Sequence, residues 1–176
     1  MNTKELKSLI RNVPDFPVKG IVFRDITTLI KDGKAFKYVV NSLCDRYRGM
    51  LVDHVVGIES RGFIFGAALA HKLGCGFIPA RKLGKLPAPT IEESYELEYG
   101  RTSLQMHTDA IALGERIVIV DDLLATGGTL RAAANLVERL GGIVVEIAVV
   151  VELKFLKGRE KIGNYRFYSM LEYHKE

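Results

Sequence analysis

The sequence lacks the features that define several large protein classes. It has only two cysteines among its 176 residues, Cys44 and Cys75, and they form no Cys-X-X-Cys pair. A disulfide framework is therefore not expected, and a reducing cytoplasm fits best. The four histidines do not have zinc-site spacing, and we predict no metal site built by the protein alone. The longest apolar runs, Ile117–Val120 and Ile143–Val151, fall far short of the ~20 residues that span a bilayer. With no signal-peptide pattern, we expect a cytoplasmic protein that does not enter a membrane.

Composition and length favour one ordinary globular domain covering residues 1–176. Hydrophobic residues make up 48% and charged residues 26%, with no low-complexity segment. The chain leaves no room for a second full domain such as a separate DNA reader. The net charge of +4 is mild. It is compatible with a basic face for nucleic acid, with a binding site for an anionic small molecule, or with no special role.

Short apolar strands alternate with helices along the chain. Strands are predicted at 54–58, 76–81, 95–106, 116–120, 143–151 and 165–171, and helices at 2–11, from 32 or 33 onwards, at 63–73 and up to 140. Residues 82–94, with two prolines and one glycine, are predicted to form a loop. This order predicts an α/β fold with a central, mostly parallel sheet flanked by helices. Ligands of such sheets bind beyond the carboxyl ends of the strands.

The segment after the strand 116–120 carries the strongest functional signal. Two acids, Asp121 and Asp122, follow four β-branched residues, and burying both would be costly, so we expect them to face the crevice. Residues 125–129, Ala-Thr-Gly-Gly-Thr, have the properties of a phosphate-binding loop at a helix start. Carboxylates suit the hydroxyl groups of a sugar. A phosphate site beside a diol site describes a ribose 5-phosphate. Neither a Walker loop nor a Gly-X-Gly-X-X-Gly motif is present.

The run IVIVDDLLATGGT at 117–129 resembles the phosphoribosyl pyrophosphate (PRPP) signature of the type I phosphoribosyltransferases. Segments 15–26, 57–66, 81–87, 95–100 and 151–161 resemble adenine phosphoribosyltransferases in the same order along the chain. Two positions depart slightly from that pattern: Glu59, where either acid occurs, and Leu83, which is often polar or proline. The resemblance implies the type I fold with a small N-terminal hood over residues 1–32, which binds the base, and a flexible flap loop.

The resemblance also implies roles for individual residues. Asp121 and Asp122 would hold the ribose hydroxyls, and Ala125, Thr126, Gly127, Gly128 and Thr129 the 5-phosphate. Pyrophosphate contacts would come from Ser60, Arg61, Arg81 and Lys85. Base contacts would come from Val22, Phe23, Arg24, Leu123 and Leu124, with Leu124 on the ring face opposite Phe23. Glu98 would be the general acid/base, with Tyr99 packed over the reaction centre and Arg61 stabilising the leaving group.

The resemblance implies transfer of the phosphoribosyl group from PRPP to adenine, giving AMP and pyrophosphate in purine salvage. Mg²⁺ would assist while held mainly by PRPP and water, and the protein would be a homodimer with no nucleic-acid partner. A phosphoribosyltransferase for a 6-oxopurine such as hypoxanthine, guanine or xanthine stays open, because no spacing rule reveals the base. A PRPP-sensing regulator would need a basic helix, whereas helix 128–140 carries only Arg131 and Arg139 with Glu138. A purely structural dimerisation module does not explain acids and glycines at strand ends.

Overall fold

The computed structural model describes residues 1–96 and 101–175. Its helices are α1 (Thr3–Ser8), α2 (Thr27–Lys31), α3 (Gly33–Tyr47), α4 (Arg61–Leu73), α5 (Gly128–Arg139) and α6 (Gly158–Ile162), with a 3₁₀ turn at Lys154–Leu156. The strands are β1 (Arg11–Val13), β2 (Phe23–Asp25), β3 (His54–Ile58), β4 (Gly76–Lys82), β5 (Thr90–Glu96), β6 (Arg101–His107), β7 (Arg116–Leu124), β8 (Ile143–Leu153) and β9 (Phe167–Tyr173).

Seven strands form the central sheet in the order β5-β6-β4-β3-β7-β8-β9. The neighbouring strands β4, β3, β7, β8 and β9 run parallel. Strand β6 pairs antiparallel with β4, and β5 pairs antiparallel with β6. The predicted mostly parallel sheet flanked by helices is confirmed. Strands β1 and β2 form a separate antiparallel ribbon near the N-terminus.

Both faces of the sheet are covered, which explains why its central strands are apolar throughout. Along β7, Val118 and Val120 join the core shared with α3 and α4, while Ile117 and Ile119 join the core shared with α5. Successive side chains of a strand point to opposite faces, so each face receives every second residue. No helix in the described ranges is long and apolar enough to cross a membrane.

Local signals fixed two helix boundaries as predicted. The Asp32 side chain accepts hydrogen bonds from the N–H groups of Lys34 and Ala35, both at 2.9 Å, and so caps α3. Helix α4 ends at Gly74, whose φ of 73° is the left-handed conformation that favours glycine.

Several boundary predictions were wrong: the helix predicted at 2–11 ends at Ser8, and three others lie near the predicted site. The strand predicted at 116–120 continues to Leu124, because β8 stays paired with it through Leu123 and Leu124. The predicted loop 82–94 is shorter, since β4 runs to Lys82 and β5 begins at Thr90. The predicted strand 95–106 is instead parts of two strands, β5 and β6, that pair antiparallel. Side chains along β5 alternate between half-buried and exposed, with the period of two that is typical of a strand. The acidic residues of β5 hid this alternation in the hydrophobic pattern of the sequence.

Candidate functional site

The acid pair lies inside β7, at the carboxyl edge of the parallel strands. Asp121 and Asp122 are 9% and 5% exposed, so the expectation that they face an open crevice is wrong for this conformation. The start of α4 covers Asp121, because a Cβ placed on Gly62 would lie 2.8 Å from the Asp121 Oδ1. Only glycine at position 62 lets the helix approach the acid pair this closely.

Burial makes the acid pair electrostatically costly. Desolvation and the neighbouring Asp122 carboxylate raise the pKa of Asp121 well above its ordinary value. Desolvation also raises the pKa of Asp122, against the opposing effect of the Arg61 guanidinium. Asp122 is therefore the acid of the pair whose charge has a cation beside it. The buried acid pair thus places negative charge at the edge of the sheet, and a ligand with hydroxyl donors would stabilise that charge.

Arg61 closes this edge. Its Nε lies 2.8 Å from the Asp122 Oδ2, and its guanidinium also lies over the Phe23 ring, 5.2 Å from the ring centroid. The N–H is not directed at the oxygen, and Oδ2 has no hydrogen-bond partner within the described residues. The contact is thus a charge pair with weak geometry. Ser60, the N-cap of α4, is exposed and makes no side-chain cap bond.

A second ion pair organises the neighbouring loop. Arg81 donates from Nε and Nη2 to the two carboxylate oxygens of Glu59, at 3.1 and 3.2 Å, and from Nη1 to the Lys85 carbonyl at 2.9 Å. The guanidinium holds the pKa of Glu59 below its ordinary value. Arg81, Lys85, Ser60 and Arg61 therefore lie together at the ends of β3 and β4. The anchoring role of Glu59 was missed, although its place directly after a strand was a usable signal.

The loop between β7 and α5 is held backbone against backbone. Gly127, the N-cap of α5, has φ of +85°, and a Cβ there would lie 2.3 Å from the Gly158 carbonyl oxygen. A Cβ on Gly158 would in turn lie 2.1 Å from the Ala125 carbonyl oxygen. The start of α6 thus braces the predicted phosphate loop. Gly158 was not assigned a role from the sequence, because nothing in its local pattern points to residue 125.

The loop also leaves donors for an anion. The first-turn N–H groups of α5, beginning at Gly128, have no intrahelical acceptors, and the helix dipole favours negative charge there. Thr126 and Thr129 are half-buried beside them. The end of β5 packs against this point, since a Cβ on Gly128 would lie 3.1 Å from the Glu96 carbonyl oxygen.

An apolar cavity of about 400 Å³ adjoins the acid pair. It takes one wall from the N-terminal ribbon, one from the end of β7 and one from the 3₁₀ turn after β8. The lining residues are Pro17, Val18, Ile21, Val22, Phe23, Arg24, Arg61, Leu123, Ala125, Thr126, Leu153, Phe155 and Leu156. Its size and lining suit a flat heteroaromatic ring.

Leu124 does not line this cavity, contrary to expectation. It is 1% exposed and packs in the core shared with α5, because β7 continues through it and turns its side chain to the other face. Leu123 takes the cavity position instead. The cavity residues Leu153, Phe155 and Leu156 were missed. They follow the strand predicted at 143–151, and ligands of such sheets bind beyond the carboxyl ends of strands, so this signal was available.

The comparisons with known proteins agree with this geometry. A sequence model of the phosphoribosyl transferase domain matches residues 27–171. The adenine phosphoribosyltransferase of Roseiflexus sp. (strain RS-1) is 56% identical over 171 residues, which is 97% of this chain and 99% of that protein. The chain belongs to the adenine phosphoribosyltransferase family.

Solved structures of the adenine phosphoribosyltransferase family have the same fold. The enzyme of Thermoanaerobacter pseudethanolicus superposes with a TM-score of 0.94 at 53% identity, covering 98% of this chain and 100% of that one. The Saccharomyces cerevisiae enzyme, solved with adenine and an iminoaltritol bisphosphate, has a TM-score of 0.90 at 40% identity, covering 96% and 98% of the two chains. The type I phosphoribosyltransferase fold is thereby confirmed.

The matched phosphoribosyl transferase domain begins at Thr27, so the cavity wall formed by residues 17–24 lies before it. The acid pair, the phosphate loop and the Arg81 cluster all lie within the matched range. Glu98 and Tyr99, the predicted acid/base and its neighbour, lie outside the described residues. Within residues 1–96 and 101–175, no three metal-ligating side chains form a cluster.

Proposed function

We propose that this member of the adenine phosphoribosyltransferase family transfers the 5-phosphoribosyl group of PRPP to adenine at the carboxyl edge of β3, β4 and β7. The observation that carries the proposal is the junction of three environments. Ala125 and Thr126, in the loop before α5, line the apolar cavity. Leu123, which also lines the cavity, directly follows the buried acid pair. Base, ribose and 5-phosphate occur in that order in AMP.

The reaction exchanges one bond at C1 of the ribose. The C1–O bond to pyrophosphate breaks, the electron pair leaves with the pyrophosphate, and the adenine N9 forms a bond to C1. The proton of N9 must also leave, and we assign it to Glu98 as general base. Asp121 and Asp122 would accept hydrogen bonds from the ribose hydroxyls and fix the approach of the two reactants.

Arg61 would change partners during binding. In the structure Arg61 pairs with Asp122 and lies over the Phe23 ring, so it fills the space where the ribose and the base would bind. Ribose hydroxyls that donate hydrogen bonds to Asp122 would replace Arg61 there, and Arg61 could then turn toward the pyrophosphate. There Arg61, Arg81, Lys85 and the N–H groups at Ser60 would stabilise the charge of the leaving group.

The base would lie in the apolar cavity, between Phe23 and Leu123. Aromatic stacking on Phe23 and contact with Leu123 would hold the ring, and main-chain groups of Val22 would meet its exocyclic amine. Arg24 is a suitable donor, since it lines the cavity and its guanidinium keeps N–H groups without a partner in the described residues. That donor matches a ring nitrogen acceptor of adenine.

We propose Mg²⁺ as the metal, held mainly by PRPP oxygens and water. The donor set fits, because the Asp122 Oδ2 has no hydrogen-bond partner in the described residues, and carboxylate oxygens are hard ligands that Mg²⁺ prefers, directly or through water. When bound, Mg²⁺ neutralises charge on the pyrophosphate.

We also propose a homodimer in the cytoplasm, with residues 1–32 acting as a hood over the base within a single domain. The free thiols of Cys44 and Cys75 suit a reducing compartment. Light scattering at several concentrations would measure the oligomeric state, and a mass of one chain, near 19.6 kDa, would contradict the dimer.

A base panel tests the proposed function. The purified protein is incubated with PRPP, Mg²⁺ and adenine, hypoxanthine, guanine or xanthine, and the nucleotides are separated by chromatography. We expect AMP from adenine and far less product from the three 6-oxopurines. Preferential formation of a 6-oxopurine nucleotide would replace the proposal with the alternative substrate class.

A further inference from the structure

Arg24 is a buried cation whose partners explain its position. It is 8% exposed on β2, and no carboxylate within the described residues forms an ion pair with it. The adjacent carboxylate of Asp25 accepts instead from Arg11 and from the N–H and hydroxyl of Thr27. A buried guanidinium without a carboxylate needs other groups to stabilise its charge.

Two groups hold the Arg24 guanidinium from different sides. Its Nη1 donates to the Asn12 Oδ1, across the β1–β2 pair. Its central carbon lies over the Tyr173 ring, 4.5 Å from the ring centroid. The negative face of an aromatic ring attracts a cation, and the attraction is stronger away from water.

Tyr173 is itself fixed next to the base cavity. It is the last residue of β9 and pairs in register with Leu153, which lines the cavity. Lys7 Nζ also lies over the ring, 4.8 Å from its centroid, and donates to the Glu172 carbonyl. The ring is therefore a platform for two cations at the junction of the C-terminal strand and the N-terminal segment.

With Nη1 and the guanidinium face engaged, Nε and Nη2 of Arg24 have no hydrogen-bond partner in the described residues, and Nε is buried. We propose that Tyr173 is a positioning residue that holds Arg24 toward the cavity and thereby sets the affinity for the nitrogen base. The inference rests on the proposed function, because it takes the base to occupy that cavity. It links the C-terminal strand to recognition of a ligand bound by residues 17–24.

The test compares Tyr173→Leu with Tyr173→Phe, which keeps the aromatic face. Steady-state kinetics are measured with adenine varied at saturating PRPP, then with PRPP varied at saturating adenine. We expect Tyr173→Leu to raise the KM for adenine about 3- to 30-fold, the range that a cation–aromatic contact implies. The KM for PRPP should stay within about twofold, and Tyr173→Phe should behave as the wild type.

Tyr168→Leu is the matched control. Tyr168 lies on the same strand and carries Arg46 over its ring at 4.1 Å, but it does not line the cavity. It should leave both KM values within about twofold. If Tyr173→Leu is insoluble, Tyr173→Met replaces it, since it also removes the ring.

Several results would overturn the proposal in an enzyme that makes AMP. They are an unchanged adenine KM in Tyr173→Leu, an equal rise in Tyr173→Phe, an equal rise in Tyr168→Leu, or a parallel rise in the KM for PRPP. Failure of the wild type to make AMP would instead refute the proposed function, so the two failures are distinguishable.

Discussion

The two halves of the site are built in different ways. The acid pair and the phosphate loop form one continuous stretch, residues 121–129, from a single strand–loop–helix unit. The base cavity is assembled from three segments, residues 17–24, the end of β7, and the 3₁₀ turn after β8. The first half is polar and tightly packed, while the second is an apolar space. A continuous unit can be read from sequence, whereas an assembled cavity is visible only in the fold.

The comparison also separates general from specific chemistry. The continuous half lies in the matched phosphoribosyl transferase domain, and the ribbon wall of the cavity lies before it. Changes in the continuous half should therefore affect PRPP, and changes in the cavity should affect the base. The following predictions test that separation.

Removing both charges of the acid pair should have the largest effect. The double variant Asp121→Asn with Asp122→Asn loses two charge-assisted hydrogen bonds to the ribose, each worth about 1.5–3 kcal/mol. We expect kcat/KM for PRPP to fall roughly 100- to 10,000-fold. Wild-type turnover in the double variant would remove the ribose assignment.

Crowding the brace behind the phosphate loop should have the next largest effect. In Gly158→Ala the new Cβ would lie 2.1 Å from the Ala125 carbonyl oxygen, so the loop must move. Overpacking of this kind costs about 1–3 kcal/mol, which we expect as a roughly 5- to 150-fold weaker Kd for PRPP.

Gly33→Ala is the matched control for Gly158→Ala. Gly33 also begins a helix, but a Cβ there meets nothing within 4 Å. Isothermal titration should find wild-type PRPP affinity in Gly33→Ala. Equal affinity in both variants would show that α6 does not brace the loop.

Trimming the cavity should act on the base alone. Phe23→Ala removes the aromatic face, and aromatic contacts contribute about 0.5–1.5 kcal/mol beyond their buried area. We expect the adenine KM to rise roughly 5- to 30-fold with little change in the KM for PRPP. A rise confined to PRPP would place the base elsewhere.

The smallest effect concerns the stability of the acid pair. The pKa of Asp121 is raised on folding, so the folded state binds a proton more tightly than the unfolded state, whose value is near 3.8. Stability is therefore lost as the pH rises from about 3.8 toward and through the raised value. Asp121→Asn should remove this loss and raise Tm at pH 8 by a few degrees, about the shift for 1 kcal/mol.

Thermal unfolding of wild type and Asp121→Asn across pH 5–8 would measure the difference. The gap between their Tm values should widen as the pH increases. A constant gap would mean that Asp121 is ionised throughout and that Arg61 compensates both acids.

The sequence was sufficient for the parts of the molecule that depend on local chemistry. Asp32 as a helix cap, Gly74 as a helix end and the strand–loop–helix unit at 116–129 all follow from neighbouring residues. The resemblance of residues 117–129 to the PRPP signature rests on that same continuity.

The missed features depend on contacts between distant residues. Gly158 touches Ala125, and Tyr173 lies under Arg24, with nothing in either local pattern to connect them. Leu123 lines the cavity and Leu124 does not, because β8 keeps β7 extended for longer than its apolar run suggests. The burial of Asp121 follows from Gly62, which α4 brings over it.

The most direct test of the two-part site is a crystal structure of the protein with AMP. We predict adenine in the cavity between Phe23 and Leu123, the ribose hydroxyls within hydrogen-bond distance of Asp121 and Asp122, and the phosphate on residues 125–129. Arg61 should have left Asp122. A base outside the cavity, or a phosphate away from the loop with Arg61 still paired to Asp122, would contradict the account.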